Sequence, residues 1–289
     1  MIAEELDAGD RGWGIGAVNA LAIVGQGLAL VLFAFVDVLP LGWRSLYGLG
    51  LLPLAAIAYL RRRLPETRRF EQLRDARAAA PRSSLLAPLR ALVHGDRRRA
   101  AAVGALFFFE AFSSHALGFF AVKYIQEAHG WQPWQISSLA LGGGIVLLFA
   151  NAATGRLSDV LGRRLVAVIA LAAYPALALW FFAATGPAVG VSWLALSFFG
   201  IACDVMLYTL AAELFPTSHR STAAGAWVAI RTLGGSLGLW CEGWLYAASG
   251  SHAAAISILA LAGFACPLIV AFCIPETSRR PLEEIAPEP

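Results

Sequence analysis

The chain alternates between long apolar runs and short polar segments, and each run has the length of a membrane-crossing helix. A helix needs roughly 20 mainly apolar residues to cross the hydrocarbon of a bilayer. Eight runs meet this condition, at about 14–36, 43–61, 100–122, 136–156, 165–184, 190–212, 223–247 and 253–274. The pattern therefore predicts an all-α polytopic membrane protein with eight transmembrane helices.

The composition agrees with this prediction. Hydrophobic residues make up 58% of the 289 residues and charged residues 14%, which is too little polar surface for a water-soluble fold. All four cysteines lie inside apolar runs without the spacing of a disulfide or metal site: Cys203, Cys241, Cys266 and Cys273. We expect neither a metal site nor another cofactor.

The distribution of basic residues predicts the orientation. Of the 22 lysines and arginines, 19 fall on the side shared by the two termini. Arg44 and Lys123 lie on the other side, and Arg231 lies within a span. Since basic loops stay in the cytoplasm, both termini are predicted to be cytoplasmic. We expect an integral protein of a bacterial inner (plasma) membrane, with the lipid bilayer as a partner.

Residues 62–99 form the only long polar segment, rich in arginine and alanine. Short amphipathic helices at about 66–79 and 83–94, lying on the inner leaflet, fit this composition. A nucleic-acid-binding patch is the rival interpretation, but the segment lacks interleaved aromatic residues. We expect no nucleic-acid partner.

An internal repeat divides the chain. Ala3-Glu-Glu-Leu6 resembles Ala212-Glu-Leu214, and Pro65-Glu-Thr67 matches Pro275-Glu-Thr277, at offsets of 208 to 210 residues. Such constancy predicts duplicated halves. Residues 1–61 would hold the last two helices of the first half, 62–99 a cytoplasmic central loop, 100–274 a six-helix second half and 275–289 a cytoplasmic tail. Four spans of the second half lack a counterpart, so we expect a truncated form or a fragment of a longer protein.

Three segments carry a family resemblance. The run Gly155-Arg-Leu-Ser-Asp-Val-Leu-Gly-Arg-Arg164 resembles the G-x-L-x-D-x-x-G-R-R signature of the major facilitator superfamily. The tail from Pro275 to Ile285 and the region around Trp43-Arg44 resemble its sugar-porter and organic-ion-transporter branch. The resemblance implies that the spans correspond to helices five to twelve of a twelve-helix carrier. It also implies alternating access for a small organic solute.

The signature run is predicted to be a charged loop at the cytoplasmic gate. Gly155 and Gly162 would let two helix ends turn, and Arg163 and Arg164 suit a cytoplasmic surface. The resemblance implies that Asp159 and Arg163 pair with charged residues near other helix ends: Glu213, Arg220, Glu276 and the repeat mates Glu5, Arg11 and Glu66. The repeat further predicts that Asp159 approaches the start of the 14–36 span. The alternative is that these residues only orient the loops.

Ionisable residues in the middle of a span are costly and usually face a bundle interior or a water-filled cavity. Glu110 lies among phenylalanines, where a carboxyl group is suited to bind and release a proton, and His115 follows slightly more than one turn later. A plain hydrogen bond to a neighbouring helix is the alternative for Glu110. Arg231 resembles the arginine of the R-x-G-G segment in family helix eleven, and could bind an anionic substrate or pair with Asp204.

Other polar residues in spans are weaker candidates for a substrate cavity. Glu242 would line the outer mouth or extend to the membrane interface. Asn151 and Tyr208 could line the cavity, although polar residues in spans more often bond to neighbouring helices.

Together these features favour a secondary active transporter for a sugar, organic acid or organic ion, with a proton as coupling ion. Arg231 slightly favours an anion. The alternative is a truncated, non-transporting membrane protein that serves as a scaffold or regulatory partner. An enzyme is not expected, because the five histidines are scattered among loops and spans.

Overall fold

The computed structural model describes residues 40–62, 97–216 and 220–287, together with isolated positions between 13 and 32. Nearly all of the described chain is helical. The helices, in chain order, are α1 (Trp43–Arg61), α2 (Arg97–His129), α3 (Pro133–Leu161), α4 (Arg163–Ala183), α5 (Pro187–Glu213), α6 (Arg220–Ser249), α7 (His252–Gly263), α8 (Ala265–Cys273) and the single turn α9 (Leu282–Ile285).

The all-α class is confirmed, but the count of eight spans is not. From 43–61 onward, each predicted span coincides with a helix or, for 253–274, with the pair α7 and α8. Within the described ranges, five helical stretches are long and apolar enough to cross a membrane: Arg97–His129, Ser138–Leu161, Arg163–Ala183, Pro187–Glu213 and His252–Cys273. Helix α6 is more polar because it contains Arg231, Glu242 and several glycines. Most of 14–36 and nearly all of 62–99 lie outside the described residues.

Local signals explain several helix starts. Helix α3 begins with Pro133 at its first turn, and Gln132 and Gln135 form a reciprocal capping box there. Pro187 similarly opens α5 after Gly186. The Ser251 hydroxyl accepts a hydrogen bond from the Ala254 amide at the start of α7.

The signature run was predicted to be a loop, and that prediction was wrong for most of its length. Helix α3 continues to Leu161, so Gly155 is a buried helical residue and only Gly162 separates α3 from α4. Hydropathy detects only the apolar part of a helix, whereas this helix continues into a polar, charged end. Gly162 has φ 104°, a conformation that residues with a side chain rarely adopt.

The predicted span 253–274 is also divided. A turn at Phe264 separates α7 from α8. Pro267 explains the break, because it has no amide hydrogen to donate to the carbonyl four residues earlier, which belongs to Gly263.

Helix α2 lies at the centre of the described bundle and contacts α6, α7 and α8. Its buried face includes Leu106, Phe107, Leu117 and Ile125. Two apolar clusters form the core, one around Phe107 and the α5 side chains and the other around Ile125, the second half of α4 and α7. This arrangement buries the middle of α2, where Glu110 lies.

Candidate functional site

Two glycines on α6 set how closely it approaches α2. A Cβ atom added at Gly234 would lie 2.4 Å from the Phe108 carbonyl oxygen, and one at Gly238 would lie 2.3 Å from that of Phe112. These distances are far below normal contact, so the two backbones touch through a small-xxx-small pair. The close approach of the two backbones brings Arg231 of α6 within reach of Glu110 of α2.

The central charged group, called here the Arg231 cluster, consists of Arg231, Glu110, Asp204 and Tyr208. Arg231 Nη2 lies 2.6 Å from Asp204 Oδ1 and 3.2 Å from Glu110 Oε2. Its Nη1 donates to the Tyr208 hydroxyl at 3.0 Å. The predicted Arg231–Asp204 pair is present, whereas the Glu110–Arg231 contact was not predicted.

The hydrogen bonding of the Arg231 cluster is incomplete. Glu110 Oε1 accepts from the Ser114 hydroxyl at 2.9 Å, but the buried Oε2 has no aligned hydrogen bond despite its closeness to Arg231. Arg231 Nε is also buried without a hydrogen-bond partner. The side chain of Glu110 is 8% exposed, while those of Arg231 and Asp204 are 20% and 31% exposed. The cluster is thus buried on the α2 side and accessible on the α5 side.

The other cavity candidates have different surroundings. His115 packs against Gly235, where an added Cβ would lie 2.5 Å from the imidazole Cδ2. The amide nitrogen of Asn151 donates to the Leu147 carbonyl at 3.0 Å, and its Oδ1 is buried without a hydrogen-bond partner. Asn151 therefore bonds within α3.

A second charged group, called here the Arg163 cluster, lies where α3, α4 and α5 end or begin. Arg163 is fully buried, with Nη1 2.5 Å from Asp159 Oδ1 and Nη2 3.2 Å from Glu213 Oε1. The Thr277 hydroxyl donates to Glu213 Oε2 at 2.6 Å. Arg163 Nη1 also donates to the Ser158 hydroxyl at 2.8 Å. This group therefore satisfies its buried charges with several hydrogen bonds each.

Glu276 reaches the same helix start but binds backbone rather than the arginine. Its Oε1 accepts from the amides of Arg163, Thr277 and Ser278 at 2.8, 3.0 and 2.8 Å, and its Oε2 accepts from the Arg164 amide at 3.1 Å. A carboxylate at this position caps the start of α4 and opposes its dipole. Gly162 is favoured there by its φ of 104°, and an added Cβ would also lie 2.8 Å from Glu276 Oε2 and displace that carboxylate. The predicted gate residue Arg164 is exposed, and its guanidinium donates to the Ala271 carbonyl.

The contact predicted between Asp159 and the first span is present. The backbone amide of Trp13, a helical residue, donates to Asp159 Oδ2 at 3.1 Å. Glu5, Arg11 and Glu66, also predicted at this gate, lie outside the described residues. Arg220 begins α6 and its Nη2 lies 3.5 Å from the Phe215 carbonyl oxygen.

The sequence from residue 102 onward decides the family. Residues 102–288 match the model of the Major Facilitator Superfamily. The chain belongs to this superfamily. No curated protein matches it.

Solved structures of the xylose transporter XylE have the same fold as this superfamily member. One, described as the proton:xylose symporter XylE bound to 6-bromo-6-deoxy-D-glucose, is 18% identical with a TM-score of 0.78. A double tryptophan mutant is 17% identical with a TM-score of 0.73, and the inward-open form from E. coli is 20% identical with a TM-score of 0.57. Each match covers 98% of this chain and 67–68% of the XylE chain.

One further polar contact of this superfamily member was not predicted from the sequence. Glu242 lies 2.5 Å from the Nδ1 of His252, and the imidazole stacks between Phe120 and Tyr246 at centroid distances of 4.4 and 4.1 Å. The prediction that Glu242 lines the mouth or extends to the interface was wrong, because its side chain is only 3% exposed. Since α6 and α7 are joined by two residues, the first turn of α7 must pack beside the end of α6. This two-residue connection is the sequence feature from which the contact between Glu242 and His252 could have been predicted.

The described residues bring no three histidine, cysteine, aspartate or glutamate side chains together in a group that could hold a metal ion.

Proposed function

We propose that this chain acts in secondary active transport, moving a small organic solute by alternating access with a proton as coupling ion. The Arg231 cluster is the observation that supports this most. It combines two carboxylates and one arginine near the middle of three helices, and it is partly exposed and incompletely hydrogen-bonded. Costly charges of this kind are kept in membrane proteins where solutes or protons pass.

Glu110 is the proposed proton carrier. Its carboxyl group is almost fully buried, and one of its two oxygens has no aligned hydrogen bond. Binding and releasing a proton changes the charge that faces Arg231, 3.2 Å away. A proton taken up at Glu110 can therefore alter how Arg231 binds a solute, which is the link that a symporter needs.

The Arg163 cluster is the proposed gate on the cytoplasmic side. Its Asp159 contacts the Trp13 amide of the first span, and this contact joins the two proposed halves of the carrier. An inward-facing state requires that contact to break, so the bond stabilises the opposite state. Glu5, Arg11 and Glu66 are proposed to complete this gate, with both chain termini in the cytoplasm and a bacterial plasma membrane as the location.

The solute is proposed to be a sugar, an organic acid or an organic ion. The XylE structures support the first class, since their descriptions name xylose and a glucose derivative. The second candidate function is a non-transporting membrane protein.

Reconstituted vesicles test the proposal. The full chain is placed in liposomes that contain a pH-sensitive dye, and xylose or an organic acid is added under an imposed proton gradient. Solute entry should be accompanied by proton entry. Glu110→Gln should abolish proton-driven uptake but retain solute exchange, because the amide occupies the same space and carries no titrating proton.

Glu127→Gln is the matched control, because Glu127 lies on the same helix and its side chain is 65% exposed. It should leave proton-driven uptake unchanged. Uptake that is unaffected by Glu110→Gln would refute the coupling role, and the absence of any solute flux would favour the non-transporting alternative.

A further inference from the structure

The charges of the Arg231 cluster restrict what it can bind. With both carboxyl groups ionised and His115 neutral, one arginine faces two carboxylates and the net charge is −1. An approaching anion would meet this negative charge and a guanidinium that already has two carboxylate neighbours. An anion can therefore bind Arg231 well only after one carboxylate loses its charge.

The two carboxylates are not held equally. Asp204 lies 2.6 Å from Arg231 Nη2, is hydrogen-bonded to it and is 31% exposed. Glu110 lies at 3.2 Å, lacks an aligned hydrogen bond at Oε2 and is 8% exposed. A buried carboxylate with few hydrogen bonds is costly, and taking up a proton removes that cost. Glu110 is thus the carboxyl group that can lose its charge on protonation, which leaves Arg231 able to bind another anion.

Once Glu110 is protonated, the site offers hydrogen-bond donors. A proton on Oε2 would turn this oxygen, which has no hydrogen-bond partner, into a donor, and Arg231 Nε is already a buried donor without a partner. Arg231 Nη2 would keep only Asp204 as its carboxylate neighbour. A carboxylate matches this set, because it only accepts hydrogen bonds and carries the charge that Glu110 has lost. A neutral hydroxyl would add a donor and leave that charge unreplaced.

The other titratable groups near Glu110 do not change this account. Those that interact with it electrostatically come from α4, α5, α6 and α8: Tyr174, Cys203, Asp204, Arg231 and Cys266. Tyr208 contacts Arg231 from α5, and α7 contributes His252, which is paired with Glu242. Tyrosine and cysteine side chains are ordinarily uncharged at neutral pH. The charge balance of the site therefore depends on the two carboxyl groups and the arginine.

We propose that the solute is a monovalent organic anion that takes the place of Glu110 on Arg231 after Glu110 has bound a proton. This inference rests on the proposed function and names its substrate class. The proton brings the cluster from −1 to zero, and the anion returns it to −1. The loaded site then carries the same charge as the empty one, so one proton and one anion cross together and the transport is electroneutral.

Calorimetry on the full chain in lipid nanodiscs tests the inference with probes that differ in charge. Benzoate, benzyl alcohol and benzylamine form one series, and acetate, ethanol and ethylamine form a smaller one. At least one of the two acids should bind and take up one proton per molecule, measured from the dependence of the enthalpy on the buffer. Its apparent Kd should rise about tenfold per pH unit where Glu110 is ionised, as one-proton linkage requires.

Variants identify the groups. Glu110→Gln should bind the acid without proton uptake and with an affinity independent of pH, whereas Glu127→Gln should behave like the unaltered chain. Arg231→Gln should weaken binding about 10- to 100-fold, the usual loss for a hydrogen bond to a charged group. Arg231→Lys, which keeps the positive charge, provides a second variant if Arg231→Gln unfolds.

Three results would overturn the inference: acid binding without proton uptake, a preference for the alcohol or the amine, and no proton-linked binding of either acid by the folded chain. Failure of the inference and failure of the proposed function remain distinguishable. Proton-driven uptake of a neutral sugar would refute the inference that the solute is an anion but would support the proposed transport function. Proton-linked acid binding without any flux in vesicles would support the Arg231 cluster as a binding site for organic anions but refute the proposed transport function.

Discussion

The Arg163 and Arg231 clusters have the same charged groups in opposite settings. Each places one arginine against two carboxylates. In the Arg163 cluster all three charged side chains are at most 2% exposed, and Ser158, Thr277 and the Trp13 amide supply further hydrogen bonds. In the Arg231 cluster the exposures range from 8% to 31%, and two buried polar atoms lack hydrogen-bond partners.

The difference shows what each cluster is suited to do. A fully hydrogen-bonded, buried network gains nothing from a ligand and can change only if a helix moves, which suits a structural lock. A partly exposed, incompletely bonded group can take up a proton or a solute without unfolding its surroundings. The same composition therefore favours stability at one end of the helices, and in their middle it supports the proposed binding role.

The largest expected effect is on stability in the Arg163 cluster. Arg163→Gln leaves Asp159 and Glu213 buried without their cation, and breaking a buried ion pair in this way costs about 3–5 kcal/mol. Thermal and denaturant unfolding in detergent would measure the loss. Arg164→Gln is the control, because its side chain is exposed, and it should cost less than about 1 kcal/mol. Equal decreases in the free energy of unfolding for Arg163→Gln and Arg164→Gln would contradict the structural role of the Arg163 cluster.

Sequence reasoning found most of the charged residues but not all of their partners. Arg231 and Asp204 lie in the middle of consecutive antiparallel spans, so their pairing could be predicted. Glu110 is far from both along the chain, and nothing in its local sequence indicates that α2 packs against α6 at this height. The glycines at 234 and 238 permit close packing, but the sequence does not indicate which helix packs against them.

Helix ends were less predictable for a physical reason. Hydropathy marks where a helix leaves the hydrocarbon, not where its hydrogen bonds stop, and α3 therefore continues six residues past Gly155 to Leu161. The partner of Glu276 depends on a backbone turn. Its carboxylate binds four amides rather than the Arg163 side chain. Gly162 bends the chain so that the Arg163 and Arg164 amides face the carboxylate, and the Thr277 and Ser278 amides follow Glu276 directly in the sequence.

The next largest effect is expected from a substitution that separates the residues of the Arg231 cluster without changing any charge. Gly238→Ala forces α6 away from the Phe112 carbonyl, and overpacking of this kind costs about 1–3 kcal/mol. Separation of α2 and α6 should also draw Arg231 away from Glu110 and reduce proton-driven uptake.

Gly243→Ala is the matched control on the same helix, since no atom lies within 4 Å of its added Cβ. It should be neutral or stabilising by up to about 1 kcal/mol, because alanine favours the helix. Gly238→Ala and Gly243→Ala with the same melting temperature would show that the close approach is not required.

A smaller loss of stability is expected when the central arginine is removed. Arg231→Gln should cost about 1–2 kcal/mol, since water can replace its hydrogen bond to the partly exposed Asp204 and the buried Glu110 can take up a proton instead of staying charged. Proton-driven uptake should nevertheless be lost. Comparison with Arg163→Gln by unfolding and by vesicle flux separates the two clusters. A loss of stability as large as that of Arg163→Gln would make the Arg231 cluster structural as well.

The smallest effect concerns Glu276, which stabilises the gate end through backbone amides alone. Glu276→Gln keeps one accepting oxygen for the amides of Arg163, Thr277 and Ser278, but it turns an NH₂ group toward the Arg164 amide and removes the charge that opposes the α4 dipole. We expect a loss of about 1 kcal/mol, the usual value for a helix cap. Unfolding measurements should show it against Glu284→Gln, an exposed control on α9. Since the Arg163 ion pairs stay intact in this variant, a loss equal to that of Arg163→Gln would mean that the cap, rather than the ion pairs, holds this end of the helices together.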